Sequence, residues 1–237
     1  MLVLGIETAT ETVSVALVDE TGLRAERTRR AWRRALEWLV PAIQGMLRDA
    51  DLAPEDVRGV AVSTGPGSFT GLRVGIATAV GWAHARGVPA CGVSTLHALA
   101  VGCSPAPFVV PVLDARRGEI SAALFVREGE SYRVLMEELT ATPEIVLGRL
   151  REFGVEELTF VGDGLHRYGH LLRQAFPRAH TAPRALWGPR AAAVAELGRE
   201  RLLRTGGEPL QAIQPRYGRA GSFRPPVWLV APRGAGE

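Results

Sequence analysis

The chain has 237 residues, enough for one large domain or two small ones, and its 46% hydrophobic content is typical of a globular protein with a core. No apolar run is long enough to cross a membrane, and residues 1–4 lack the basic start of a targeting segment, so we expect a cytoplasmic protein without membrane contact. Cys91 and Cys103 lack the spacing of a zinc or redox pair, which predicts two reduced thiols.

A β-hairpin is predicted at the start of the chain. Its first strand ends at Glu7, and a threonine-rich turn leads to a second strand over residues 13–17. The formal net charge is +3, and every basic residue is arginine. The densest basic cluster follows the hairpin and contains Arg24, Arg27, Arg29, Arg30, Arg33 and Arg34. Interspersed acidic residues favour a solvated edge of a strand and helix over a face that binds RNA.

The first helix is predicted over residues 33–50. Leu36, Leu39 and Ile43 recur there at helical spacing. Pro41 removes a backbone donor and is expected to kink the helix or restart it.

A glycine-rich loop lies between a strand at residues 59–63 and a second helix at residues 72–86. Gly65 and Gly67 permit a tight turn around Pro66. A loop of this kind before a helix exposes backbone N–H groups that suit an anion or a partner, and a capped turn without a ligand is the alternative. No Gly-Lys-Ser/Thr sequence follows, which excludes a Walker loop.

The second helix carries small residues on one face. Gly71, Gly75, Ala79 and Ala83 are spaced four residues apart. This face lets another helix approach closely, either inside the same domain or across a subunit interface.

The second half repeats the opening hairpin. In residues 110–124, Asp114 aligns with Glu7 and Ser121 with Ser14 at a constant offset of 107. Each copy has an apolar strand, an acidic residue, a polar turn and a second strand, which predicts a duplicated α/β fold with two related halves. The proline-rich residues 104–107 mark the junction. We expect an N-terminal half at residues 1–105, a shorter C-terminal half at residues 106–221 whose last helix packs back on the first half, and an irregular tail at residues 222–237.

Four segments match, in order, the pattern of one bacterial family: residues 5–10, 65–73, 92–96 and 114–119. On these residues the chain resembles the TsaB proteins and, more distantly, TsaD. The resemblance implies a duplicated actin/sugar-kinase/Hsp70-like (ASKHA) fold. It also implies a non-catalytic subunit that binds and activates the TsaD-type subunit, which adds threonylcarbamoyl to the tRNA adenosine next to the anticodon. A homodimer when alone, a TsaE-like ATPase as a further partner and an indirect or weak tRNA contact are likewise implied.

The resemblance implies that partners bind through the first two helices. The expected contact residues are Leu36, Leu39, Ile43, Gly71, Gly75, Ala79 and Ala83. The first helix departs from the family where Ala35-Leu36 replaces a His-Ser pair, which changes the chemistry expected of this interface.

The resemblance argues against catalysis by the chain itself. TsaD-type subunits hold a metal with a His-x-x-x-His pair, and Thr95 and Leu99 stand at those positions here, so neither a metal site nor a catalytic residue is expected. His166 and His170 have this spacing in the other half, but no acidic residue is interposed as in a zinc protease motif, and we interpret them as surface residues.

In the ASKHA fold, two acidic residues flank a phosphate and a metal, and Glu7 and Asp114 occupy those places in the resemblance. The expected degenerate nucleotide or phosphate site comprises Glu7, Thr8, Thr10, Gly65, Gly67 and Asp114. We expect no cofactor on the isolated chain, with ATP or ADP bound only in the complex. The alternative function is a small ASKHA-type ATP-dependent phosphotransferase, in which Glu7 or Asp114 positions metal and phosphate. No role is predicted for Arg116, Arg117 and Glu119.

Overall fold

A computed structural model describes residues 1–30, 34–103 and 105–218. Arg33, Ser104 and the predicted tail at residues 222–237 therefore lie outside the described residues.

Each half of the chain contains one five-stranded sheet. The first half contains β1 (Val3–Glu7), β2 (Thr12–Asp19), β3 (Gly22–Arg30), α1 (Ala35–Asp49), β4 (Gly59–Gly65), α2 (Phe69–Arg86), β5 (Ala90–Ser94) and α3 (Thr95–Val101). The remainder contains β6 (Phe108–Arg116), β7 (Glu119–Glu128), β8 (Ser131–Ala141), α4 (Pro143–Arg151), β9 (Thr159–Val161), α5 (Leu165–Ala175), β10 (His180–Thr181) and α6 (Ala191–Thr205).

The two sheets share one topology. The first has the order β3-β2-β1-β4-β5, and the second has the order β10-β9-β6-β7-β8, which is the same arrangement counted from the other edge. In each, three antiparallel strands continue into two parallel ones. The predicted duplication of an α/β unit is therefore confirmed.

The register of the two hairpins differs by one residue. Glu7 pairs with Ser14 in the first, whereas Ser121 pairs with Leu113 in the second. Asp114 thus lies one position beyond the equivalent of Glu7, and the alignment of these two acids at equal positions is wrong. Because side chains alternate across a strand, this single residue places the two carboxylates on opposite faces of their sheets.

Helix α6 covers one face of the first sheet, and α1 and α2 cover the other. Close approach of α6 depends on glycines: a Cβ on Gly198 would lie 2.1 Å from the Cβ of Ala61, and one on Gly5 would lie 2.3 Å from the carbonyl oxygen of Ala191. Helix α1 continues through Pro41.

The basic cluster near β3 is largely neutralised. Arg24 pairs with Asp19 at 2.7 Å, and Arg27 pairs with Asp49. Arg30 and Arg34 also have acidic partners. These pairs fit the solvated edge that the sequence favours.

After α6 the chain crosses from the first half to the second. The backbone N–H of Glu208 donates to the carbonyl of Ala90 beside β5, and that of Arg216 donates to the carbonyl of Thr64. Gly218 then lies against Thr140 of β8. This segment holds its aromatic residue, Tyr217, between the two halves.

Among the described residues, no helix is long and apolar enough to cross a lipid bilayer.

Candidate functional site

A cleft lies between the two halves, at the ends of their central strands. It consists of two chambers of about 570 and 810 Å³. The end of β6 and the loops after β1 and β9 line both chambers, which is the usual place for a site in an open α/β sheet. The wall between the chambers contains Thr10, Glu11, Asp114, Arg116 and Asp163.

Two carboxylates and an arginine form the centre of this shared wall. Asp163 accepts a hydrogen bond from the backbone N–H of Asp114 at 3.1 Å. Asp114 accepts one from the backbone N–H of Arg116 at 2.8 Å, and its second oxygen lies 3.4 Å from the Arg116 guanidinium. Burial raises the pKa of Asp163, and the neighbouring Asp114 adds to this effect.

The turn after Asp114 has an uncommon backbone. Arg116 and Arg117 have φ angles of 65° and 53°, in the left-handed region that non-glycine residues rarely adopt, and Gly118 follows at 85°. The turn places two consecutive arginines on the cleft wall, with both side chains exposed. Positive φ at both Arg117 and Gly118 is the geometry of a two-residue type I′ hairpin turn, which joins β6 to β7 here.

The first chamber has an aromatic wall at the start of α2. The rings of Phe69 and Tyr217 stack with centroids 5.1 Å apart. The guanidinium of Arg73 lies 3.7 Å from the centre of the Phe69 ring and donates to the Tyr217 hydroxyl at 3.1 Å. Ser68 caps the helix by accepting from the N–H of Gly71.

The second chamber repeats an aromatic contact. His166 and Trp187 meet edge to face with ring centroids 4.8 Å apart, and the indole N–H of Trp187 donates to the carbonyl of Ala182 at 2.8 Å. Besides Arg116 of the shared wall, three arginines line this chamber: Arg30, Arg184 and Arg190. Arg30 pairs with Glu11 on the chamber wall at 2.6 Å.

Comparisons with known proteins agree with the sequence resemblance. The family model described as "TsaD: tRNA N6-adenosine threonylcarbamoyltransferase" matches residues 28–218. The tRNA threonylcarbamoyladenosine biosynthesis protein TsaB of Escherichia coli strain K12 is 34% identical over 74% of this chain and 77% of its own. The chain belongs to the TsaB family. The solved structure of YeaZ from Pseudomonas aeruginosa superposes with a TM-score of 0.75 at 26% identity, over 91% of this chain and 99% of that one.

The fold of this TsaB-family chain extends to more distant proteins. The ROK hexokinase from Thermus thermophilus superposes with a TM-score of 0.53 at 12% identity, over 86% of this chain and all of that one. At this identity the likeness shows the fold alone. It confirms the ASKHA fold that the sequence resemblance implied.

Only part of the set of residues predicted for a nucleotide site comes together. Thr10, Gly67 and Asp114 line the first chamber. Glu7 and Thr8 are completely buried, as are most residues of the first central strand. Gly65 is covered by the 206–218 segment, because a Cβ there would lie 2.3 Å from the carbonyl oxygen of Arg216.

Glu7 is an unusual buried acid. One of its carboxylate oxygens accepts a hydrogen bond from the N–H of Ala9, and the other has no partner. Burial raises the pKa of Glu7 to about 7, although the hydrogen bond from Ala9 and the neighbouring Ser63 hydroxyl oppose the shift. Because Glu7 does not reach the cleft, it cannot flank a phosphate or metal together with Asp114. The predicted pairing of these acids is wrong, and the one-residue difference in hairpin register is the reason.

Most of the predicted partner interface lies inside the chain's own core. A Cβ on Gly71 would lie 2.1 Å from the Thr8 carbonyl oxygen, and one on Gly75 would lie 2.2 Å from the Thr8 hydroxyl. Ala79 and Ala83 are buried under the same face. The interpretation of this stripe as a subunit contact is wrong, because Thr8 and the core of the first half already cover it.

The first helix divides its predicted contact residues between two faces. Leu39 and Ile43 are fully buried in the core of the first half, so their assignment to a partner surface is also wrong. Leu36 points outward and is 71% exposed.

The positions compared with the TsaD metal ligands are also internal. Thr95 and Leu99 lie on α3 and are buried. In the part of the chain that the structure describes, no group of three His, Cys, Asp or Glu side chains is placed to hold a metal ion. His166 and His170 are exposed, as interpreted, although His166 lines the second chamber.

Sequence reasoning missed Asp163 and Tyr217 as cleft residues. Asp163 belongs to the short Gly162-Asp163-Gly164 segment, and a Cβ on either glycine would lie within 3 Å of Val112. Glycines flanking an acid after a strand were the available signal. Tyr217 reaches the cleft only through the long return of the chain, which no local pattern reveals.

Proposed function

We propose that this chain is the non-catalytic subunit that binds and activates a TsaD-type subunit in tRNA threonylcarbamoyladenosine biosynthesis. Its relative in Escherichia coli is named for that pathway. The observation that carries the proposal is the identity and burial of Thr95 and Leu99, at the positions compared with metal-binding histidines. A hydroxyl and an aliphatic side chain inside a core do not replace two imidazole ligands, so this chain needs a partner that supplies the chemistry.

The outward face of α1 is the surface that we propose for this partner. Leu36 and Val40 are 71% and 45% exposed, one turn apart. Helix α2 packs beside α1, and its exposed side presents the small residues Ala77 and Gly81. Exposed apolar side chains beside small residues allow a partner helix to pack closely. The proposed surface lies on the same two helices that the sequence predicted, but on their exposed faces instead of the buried ones.

Replacing Leu36 with aspartate should weaken binding of the TsaD-type subunit about tenfold or more, because burying a leucine contributes about 1.5–3 kcal/mol and the aspartate would be desolvated. Isothermal titration of the purified partner measures the change. Ile145→Asp is the matched control, since Ile145 is 58% exposed on α4 of the second half. Equal affinities for the two variants would exclude the α1 face as the docking surface.

We also propose that the isolated chain binds neither ATP nor ADP, and that nucleotide binds only in the complex. Glu7 is buried away from the cleft, which disfavours the alternative of an ATP-dependent phosphotransferase. Calorimetric titration of the chain with ATP should give no heat of binding, with or without magnesium. Saturable binding in the micromolar range would contradict the proposal.

The homodimer and the TsaE-like ATPase stay predictions, which analytical ultracentrifugation of the chain alone and with each partner would test.

A further inference from the structure

The two chambers of the cleft contain the same combination of groups. Each has an aromatic contact, Phe69 with Tyr217 in the first and His166 with Trp187 in the second. Each also has an exposed arginine with no acidic partner among the described residues. These two are Arg117 in the first chamber and Arg184 in the second.

The arginines that line the cleft outnumber its carboxylates. Its arginines are Arg30, Arg116, Arg117, Arg184 and Arg190, and its carboxylates are Glu11, Asp114 and Asp163. Arg30 and Arg116 are paired with carboxylates of the cleft itself, and Arg190 pairs with Glu26. The guanidinium groups of Arg117 and Arg184 are therefore the ones available to an anionic ligand.

We propose that the cleft binds single-stranded RNA, with a nucleotide in each chamber and its phosphates beside Arg117 and Arg184. The proposal rests on the proposed function and extends it, because it gives this chain a direct contact with the RNA substrate. Aromatic rings stack on bases regardless of sequence, and arginines neutralise the phosphates between them. The repetition of ring and cation fits a polymer with a repeating base and phosphate. A free nucleoside triphosphate has one base and would use one chamber.

The test measures binding of a fluorescein-labelled, unstructured RNA of eight nucleotides to the full chain by fluorescence anisotropy at several salt concentrations. Arg117→Gln and Arg184→Gln should each weaken binding about fivefold at 0.1 M salt and reduce the slope of log K against log salt by about 0.7, the amount expected for one phosphate contact of a single strand. Arg127→Gln is the control. It removes one exposed charge from β7, at the end of that strand opposite to the cleft, and should leave affinity and slope unchanged.

The stacking part of the proposal has its own variant. Tyr217→Ala should weaken binding about fivefold or more, whereas Tyr217→Phe, which keeps the ring, should bind as the unchanged chain does. Circular dichroism of each variant confirms that it is folded. Equal binding by the alanine and phenylalanine variants would overturn the stacking platform.

Three results would overturn the proposal as a whole. The first is the absence of RNA binding. The second is an equal loss of affinity in Arg127→Gln and in the cleft variants. The third is displacement of the RNA by millimolar ATP together with weaker RNA binding in Arg117→Gln but not in Arg184→Gln, which would identify a single-nucleotide site. Failure of the proposed function is distinguishable. The double variant Arg117→Gln/Arg184→Gln should still bind the TsaD-type subunit, and Leu36→Asp should still bind RNA. If the unchanged chain did not bind the TsaD-type subunit, the proposed function would be contradicted, and the result of the RNA-binding test would stand on its own.

Discussion

Replacing Gly75 with leucine should destabilise the chain by about 3 kcal/mol or more, the upper end of what overpacking of a core costs. The added Cβ would lie 2.2 Å from the hydroxyl of Thr8 and 3.3 Å from two further atoms of the same side chain. Thr8 is fully buried, so the rest of the leucine has no space to enter. Thermal unfolding followed by circular dichroism should show the melting temperature falling by roughly 6–12 °C for a chain of this size.

The same helix offers a matched control. Gly81 is exposed on α2, and no atom lies within 4 Å of a Cβ built there. Gly81→Leu makes the same chemical change in the same helix and should raise the free energy of unfolding by up to about 1 kcal/mol, because leucine has the higher helix propensity. If Gly75→Leu and Gly81→Leu had the same melting temperature, the small-residue face of α2 would not be packed against β1. A subunit contact through that face would then be possible again.

The sequence was sufficient for the architecture because each signal there is local. The hairpin after residue 110 repeats the one at the start of the chain, and each gives the first strands of one sheet. Apolar spacing in residues 33–50 predicted α1 within two residues of its observed start. Ser68, at the end of the glycine-rich loop, caps α2 by accepting from the N–H of Gly71, which fits the capped turn that the loop sequence allows.

Sequence reasoning failed where the answer depends on what covers a face. Gly71 and Gly75 predict only that something approaches closely, and the identity of the neighbour, Thr8, is a tertiary fact. Periodicity likewise placed Leu36 and Leu39 in one stripe, although one is exposed and the other buried.

The cleft shows the same limit. An alignment of two hairpins assigns equal positions to Glu7 and Asp114, yet strand pairing shifts one relative to the other by a residue. A shift of one residue exchanges the faces of a sheet, so one acid is buried and the other lines the cleft. Asp163 and Tyr217 reach the cleft from distant parts of the chain, which spacing along the sequence cannot reveal.

The buried carboxyl of Glu7 should make stability depend on pH. Its pKa is about 7 in the folded chain, against 4.5 for an unperturbed glutamate, and burial is the main cause of the difference. Below pH 4.5 the group is protonated in both the folded and the unfolded state. Between pH 4.5 and 7 the unfolded chain loses the proton first, so the folded chain binds more protons and its stability falls as pH rises. A difference of this size corresponds to about 3 kcal/mol, all of it lost above about pH 7.

Glu7→Gln removes this titration and leaves an amide oxygen that can accept from the N–H of Ala9. Urea unfolding at a series of pH values from about 4.5 to 8 should give a stability difference between Glu7→Gln and the unchanged chain that grows by about 3 kcal/mol in favour of the variant. Other titrating groups contribute equally to both proteins and cancel in the difference. Val40→Ala, an exposed change on α1 that adds or removes no titrating group, should give a difference that is constant with pH. A constant difference for Glu7→Gln as well would mean that Glu7 is charged in the folded chain, and a difference that shrinks with pH would mean that its pKa is lowered by folding.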